Sequence, residues 1–132
     1  MKSTYFRYFS AVLLALSLSQ AAYAADVVVI SNSGISISAG EVKDVFLGEK
    51  QFAGSTKLIP VDNASLQANF LSKYMNMAAD KYNSMWTKKS FRDGLTPPAV
   101  KSGDADVIDY VKRTPGAVGY VSAAPAGVNV AK

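Results

Sequence analysis

Residues 57–70 read "KLIPVDNASLQANF", and the hydrophobic period changes in their middle. Leu58, Ile59 and Val61 form a short apolar run of the kind a covered strand shows, whereas Leu66, Phe70 and Leu71 recur at helical spacing. The joint, "DNAS" at 62–65, is small and polar. A strand that hands over to a helix through such a corner is the repeating unit of an α/β sheet. The corner itself has two readings. Asp62 or Asn63 can cap the helix. Alternatively, N–H groups near Ala64 and Ser65, the Ser65 hydroxyl and the positive end of the helix dipole can hold an anion.

The same order occurs upstream. "DVVVIS" at 26–31 is β-branched and apolar on both faces, as a strand covered on both sides requires. A polar corner, "NSGISI", follows, in which Asn32, Ser33, Ser36 and Gly34 crowd amides and hydroxyls together; a positive φ at Gly34 would let successive N–H groups converge on an anion. A solvated loop is the alternative. Ser38 and Glu41 then make an S-x-x-E capping box ahead of Val42, Val45 and Phe46, with Gly48 as the stop.

Downstream, a second helix is expected over about 78–90 with Tyr82, Met85 and Trp86, broken by "RDGLTPP". Tyr82, Trp86 and Phe91 stand at near-helical spacing and read as core, with an aromatic stacking platform as the alternative. Lys88, Lys89 and Arg92 are the densest basic cluster; Lys88 and Lys89 read as a solvated helix end, and Arg92 falls in the loop before Gly94. Ser102 or Asp104 opens a further helix through Val107, Ile108, Tyr110 and Val111, which Pro115 and Gly116 end. "AVGYVSA" at 117–123 reads as a strand inside the sheet, and "GVNVA" adds an edge strand. Strands alternating with helices predict an α/β fold, a three-layer sandwich with a mixed or mostly parallel sheet. Ligands of such sheets sit at the carboxyl ends of the strands, where both polar corners fall.

Composition removes whole classes of function. The chain has no cysteine and no histidine, which leaves no disulfide, no imidazole or thiol catalysis, no ordinary zinc site and no histidine-ligated haem. No enzyme and no cofactor are expected. Asp104, Asp106 and Asp109 lack calcium-loop spacing, because Ile108 stands where an oxygen ligand belongs, so no metal is expected. The formal charge is +4, of which Lys2 and Arg7 carry two, and no basic-aromatic stripe remains to suit a nucleic acid.

Lys2 and Arg7 precede the apolar run "AVLLALSL" and the small-residue site "AYA" at 22–24, the pattern of a cleaved export signal. Residues 1–24 are therefore expected to be a signal peptide and residues 25–132 one small domain. With no lipobox cysteine to acylate, the mature form is expected in the periplasm without a membrane anchor.

The order of these pieces resembles the phosphate-binding proteins of ABC transporters, and in particular their short exported members. The matching residues are Ile37-Ser38, Val45-Phe46-Leu47-Gly48 and Gly116-Ala117-Val118-Gly119-Tyr120-Val121. The resemblance implies one lobe of a type II periplasmic binding protein-like domain. It also implies non-catalytic binding of phosphate or a similar oxyanion, linked to uptake through an ABC permease or to sensing by a membrane sensor. Two departures accompany it. A single lobe cannot bury an ion by hinge closure, so it needs a partner, a homodimer or weak binding. The family's arginine is replaced by Gln67 and its serine by Ala64, with Ser65 displaced by one. The ligand-binding residues expected are Asn32, Ser33, Gly34, Asn63 and Ser65, with Arg92 supplying the missing charge. The alternative is a lobe without useful ligand binding that serves as an interaction module of the cell envelope.

Overall fold

The computed structural model describes residues 26–132. The expected signal peptide lies outside the described residues. Among the described residues, seven strands and four α-helices follow one another: β1 (Val28–Asn32), a 3-10 turn (Ala39–Glu41) leading into α1 (Val42–Phe46), β2 (Phe52–Ala53), β3 (Thr56–Lys57), β4 (Ile59–Asn63), α2 (Gln67–Phe70) continuing as a π turn (Leu71–Met75), α3 (Ala79–Asp93), β5 (Ala99–Lys101), α4 (Asp104–Arg113), β6 (Ala117–Val121) and β7 (Val128–Val130).

Five strands form one sheet in the order β5-β4-β6-β1-β7, while β2 and β3 make a separate hairpin. The sheet is mixed. β4 pairs parallel with β5 and β6, in the register Val61 to Ala99 and Ile59 to Ala117, whereas β1 pairs antiparallel with β6 and β7. The chain from β4 to β5 runs over one face through α2 and α3, and the chain from β5 to β6 returns over the other through α4.

Strand alternation fills both faces, so three layers result. Val29, Val118 and Tyr120 pack with Val45, Phe46, Phe70, Leu71, Tyr82 and Trp86 on one side. Ile30, Val61, Ala117 and Val121 pack with Val107 and Val111 of α4 on the other. Within the first of these cores, the Tyr120 and Phe70 rings stack at 3.9 Å with planes 1° apart, and Phe46 tilts against both. α4 has acidic Asp104 and Asp106 in its first turn and basic Lys112 and Arg113 in its last, which suits the helix dipole at both ends.

Two glycines of β6 and its approach are dictated by proximity. A Cβ at Gly119 would lie 2.6 Å from a Val107 methyl, which is how closely α4 sits on the strand. Gly116 has φ +83°, and a Cβ there would lie 2.0 Å from the Lys57 carbonyl oxygen, where the Ile59 N–H also donates to the Gly116 carbonyl at 2.8 Å.

Several expectations need correction. α3 runs on to Asp93, so Arg92 is helical and not part of a loop. The helix after the β4 corner has only four α residues before it widens into the π turn, which Asn76 ends at φ 50°. Phe91 points outward at 89% exposure instead of joining the core. Lys89 is buried, its ammonium 3.0 Å from Glu49, and is not a solvated helix end. The capping box does form: the Glu41 carboxylate accepts the Ser38 N–H at 3.1 Å and its hydroxyl at 2.8 Å.

Candidate functional site

The carboxyl edge of the parallel strands is where β4 turns at Asn63, β5 at Lys101 and β6 at Ser122. Asn63 is fully buried and uses its whole side chain internally. Its amide nitrogen donates to Asp104 at 2.8 Å and to the Tyr120 carbonyl at 3.0 Å, and its oxygen accepts the Ser65 N–H at 3.1 Å and hydroxyl at 2.7 Å. Asp104 also accepts the N–H and hydroxyl of Ser122. Partial burial pushes the Asp104 carboxyl up, but the Ser122 bonds and the Asn63 bond outweigh it and hold it below the usual carboxylate range. This network ties β4 to β6 and to the start of α4.

Consequently the N–H groups expected to be free at the corner are engaged. Ala64 donates to the Lys101 carbonyl at 2.9 Å and Leu66 to the Asn63 carbonyl at 3.1 Å. The helix begins at Gln67 with no side-chain cap, so neither Asp62 nor Asn63 caps it.

The first corner is closed in the same way. Asn32 donates to the Val111 and Lys112 carbonyls at 2.9 and 3.3 Å, satisfying the end of α4, while its oxygen accepts the Gly34 N–H at 3.0 Å. Gly34 does not take a positive φ. Ser33 is exposed and its carbonyl accepts from Asn129 at 3.3 Å. Arg92 is exposed and pairs with Asp93 at 3.2 Å. It stands ten residues beyond Tyr82 on α3, about 15 Å along the helix axis, and so does not join the corners.

The side chain that gathers a site here is Asp62, a possible helix cap by the sequence of the corner alone. It is 1% exposed. One carboxyl oxygen accepts the Tyr120 hydroxyl at 2.8 Å and the other the Tyr82 hydroxyl at 2.9 Å. Burial raises its pKa, which the two phenol hydrogen bonds only partly offset. Burial, and then the nearby Asp62 charge, pushes both phenols up in turn, so they remain protonated donors. The signal that finds such a residue in a sequence is an acid placed inside an apolar strand, here "LIPVD".

Asp62 forms part of the wall of a cleft of about 300 Å³. Gln67, Asn83, Thr87 and Ser90 supply hydrogen-bonding groups, Trp86, Pro97 and Pro98 supply apolar wall, and no lysine or arginine among the described residues lines it. Each carboxylate oxygen keeps a second lone pair for an incoming donor. The cleft can therefore position a small ligand that brings its own proton to Asp62.

Among solved structures, the crystal structure of PstS from Borrelia burgdorferi aligns with this chain at a TM-score of 0.48 and 16% identity, covering 81% of this chain and 46% of that one. The chain thus spans less than half of that protein's length. No family model matches the chain, and no curated protein matches it. The α/β three-layer fold rests on the strand pairing and the two cores described above.

Proposed function

We propose that this chain is an exported, non-catalytic binding lobe for phosphate or a similar oxyanion, serving phosphate uptake or sensing. The observation that supports it is the polar cleft at the carboxyl edge of β4, where Asp62 meets Gln67, Asn83, Thr87 and Ser90. This is the place where parallel α/β sheets bind ligands. Gln67, three residues after Ala64, reaches this cleft, while Asn63 and Ser65 shape the corner by holding one another. The Asp62 carboxyl oxygens accept hydrogen bonds, so they suit an anion that still carries a proton. Phosphate and arsenate do at neutral pH, and sulfate does not. With no cation in the lining, affinity is expected to be weak, roughly millimolar.

Calorimetric titration with phosphate, arsenate and sulfate tests the reading. Binding of the first two and not of the third supports it. Absence of binding to all three favours the second reading, an interaction module of the cell envelope. That alternative draws on the saturation of both polar corners and on the exposed Phe52, Phe91 and Val100. Export is tested by intact mass: the secreted form should begin at Ala25.

A further inference from the structure

A larger cavity adjoins the Asp62 cleft without being lined by Asp62. It encloses about 460 Å³ beside the start of β4, within the usual range of about 300–1,000 Å³ for small-molecule sites. Its origin is in the sheet. β5 pairs only with Val61, Asp62 and Asn63, because Pro97 and Pro98 precede it and prolines cannot donate to a ladder. The edge of β4 at Ile59 and Pro60 is therefore left without a strand beside it, and the segment 94–98 arches past the gap. Leu58, Val61, Trp86, Leu95, Pro98 and Tyr110 make the wall.

Charge at the rim has one sign. Lys50, Lys57 and Gln51 line the cavity, and no aspartate or glutamate does. Lys50 is shared with Glu41 at 3.0 Å, whereas Lys57 makes no ion pair among the described residues. Lys101 adds positive potential behind the wall, its ammonium 4.3 Å from the centre of the Tyr110 ring. The Asp62 cleft shares Trp86, Pro97 and Pro98 with this cavity and has the opposite character, one acid and no base. An apolar chamber with a cationic mouth complements a molecule that has an apolar body and one anionic head.

We propose that this cavity is a second binding site, for a small amphipathic carboxylate, with the apolar body against Trp86 and Leu95 and the carboxylate at Lys57. The site is independent of the phosphate reading, since the two cavities use different polar groups.

Trp86 is the chain's one tryptophan, its indole N–H is fixed on the Phe46 carbonyl at 3.1 Å, and it lines both cavities, so its fluorescence reports occupancy of either and the Lys57 variants tell the two apart. The experiment titrates the purified protein with octanoate, with octylamine as the cationic counterpart. Octanoate should shift Trp86 emission saturably, below its aggregation range, and octylamine should bind far more weakly. Lys57→Glu, at an exposed position, should weaken octanoate about tenfold or more, with Lys57→Gln intermediate and both variants melting like the parent. No saturable response to octanoate, equal binding of octylamine, or unchanged octanoate affinity in both Lys57 variants would overturn the assignment. Phosphate binding should be the same in parent and variants, which separates failure here from failure of the oxyanion reading.

Discussion

The Tyr120 hydroxyl donates to the Asp62 carboxyl at 2.8 Å, although the residues are 58 apart in the chain and neither is more than 1% exposed. The bond joins two adjacent parallel strands on the face that carries the aromatic core. It holds the Tyr120 ring flat against Phe70 and presents Asp62 to the cleft.

Tyr120→Phe keeps that ring stack and removes only the donor. A buried acceptor left unpaired costs about 1–3 kcal/mol, and more when it is charged. Chemical denaturation should show a loss in that range, and Tyr82→Phe a comparable one. A variant as stable as the parent would mean that the bond contributes nothing.

Two carboxyls give opposite dependences on pH. Burial raises the Asp62 pKa above its ordinary 3.8, so its contribution to stability is complete below that value and is lost as pH rises through the higher folded value. Asp62→Asn has no such loss. The melting temperature of the variant should gain on that of the parent as pH rises from 4 upward.

Glu41 behaves in reverse. Hydrogen bonds from the Ser38 hydroxyl, then Lys50 and the Ser38 N–H, hold its pKa down to about 2 from 4.5. Its contribution is present above 4.5 and is lost as pH falls toward 2. Glu41→Gln should therefore flatten the acid limb of the melting curve between those values, an effect that thermal melts at several pH values would reveal.

Gly116 and Gly119 separate two kinds of crowding. Gly119→Ala presses on a Val107 methyl that can shift, and should cost about 1–3 kcal/mol, as overpacking does. Gly116→Ala meets a backbone carbonyl and needs a positive φ, so its loss should be larger. Equal losses by denaturant titration would show that the Lys57 carbonyl yields easily.

At the β4 corner, Gln67→Arg places a cation in the Asp62 cleft and should strengthen phosphate binding about tenfold or more. Ser65→Ala removes a hydroxyl that bonds Asn63. It should lower stability by about 0.5–1.5 kcal/mol and leave phosphate affinity nearly unchanged. Paired calorimetry and melting decide this. A large affinity loss in Ser65→Ala would return the anion to the corner itself.

Local rules explain what could be read in advance. β1, β4 and β6 are apolar runs long enough to announce themselves, the Ser38 and Glu41 box depends on residues three apart, and α4 carries both its start and its stop. β5 escaped notice because three residues after two prolines have no period of their own and become a strand only by pairing with β4. The β2–β3 hairpin was missed although Gly54 marks its turn with a φ of 60°. Arg92 read as a loop cation because Gly94 and the prolines suggested an earlier stop, yet Gly94 caps the helix one residue after Asp93, its N–H on the Ser90 carbonyl at 3.2 Å.

The sequence by itself determined the α/β class, the order of the principal elements and the absence of histidine and cysteine chemistry, since these follow from period, capping and composition. The tertiary structure decided which polar groups are available. Asn32, Asn63 and Ser65 are chemically apt for an anion, but each satisfies a neighbour, because buried donors and acceptors must be paired. Asp62 looks like a cap in the sequence and lies instead in the wall of a cleft, because Tyr82 and Tyr120, 20 and 58 residues away, supply the two hydroxyls that hold its carboxyl inside.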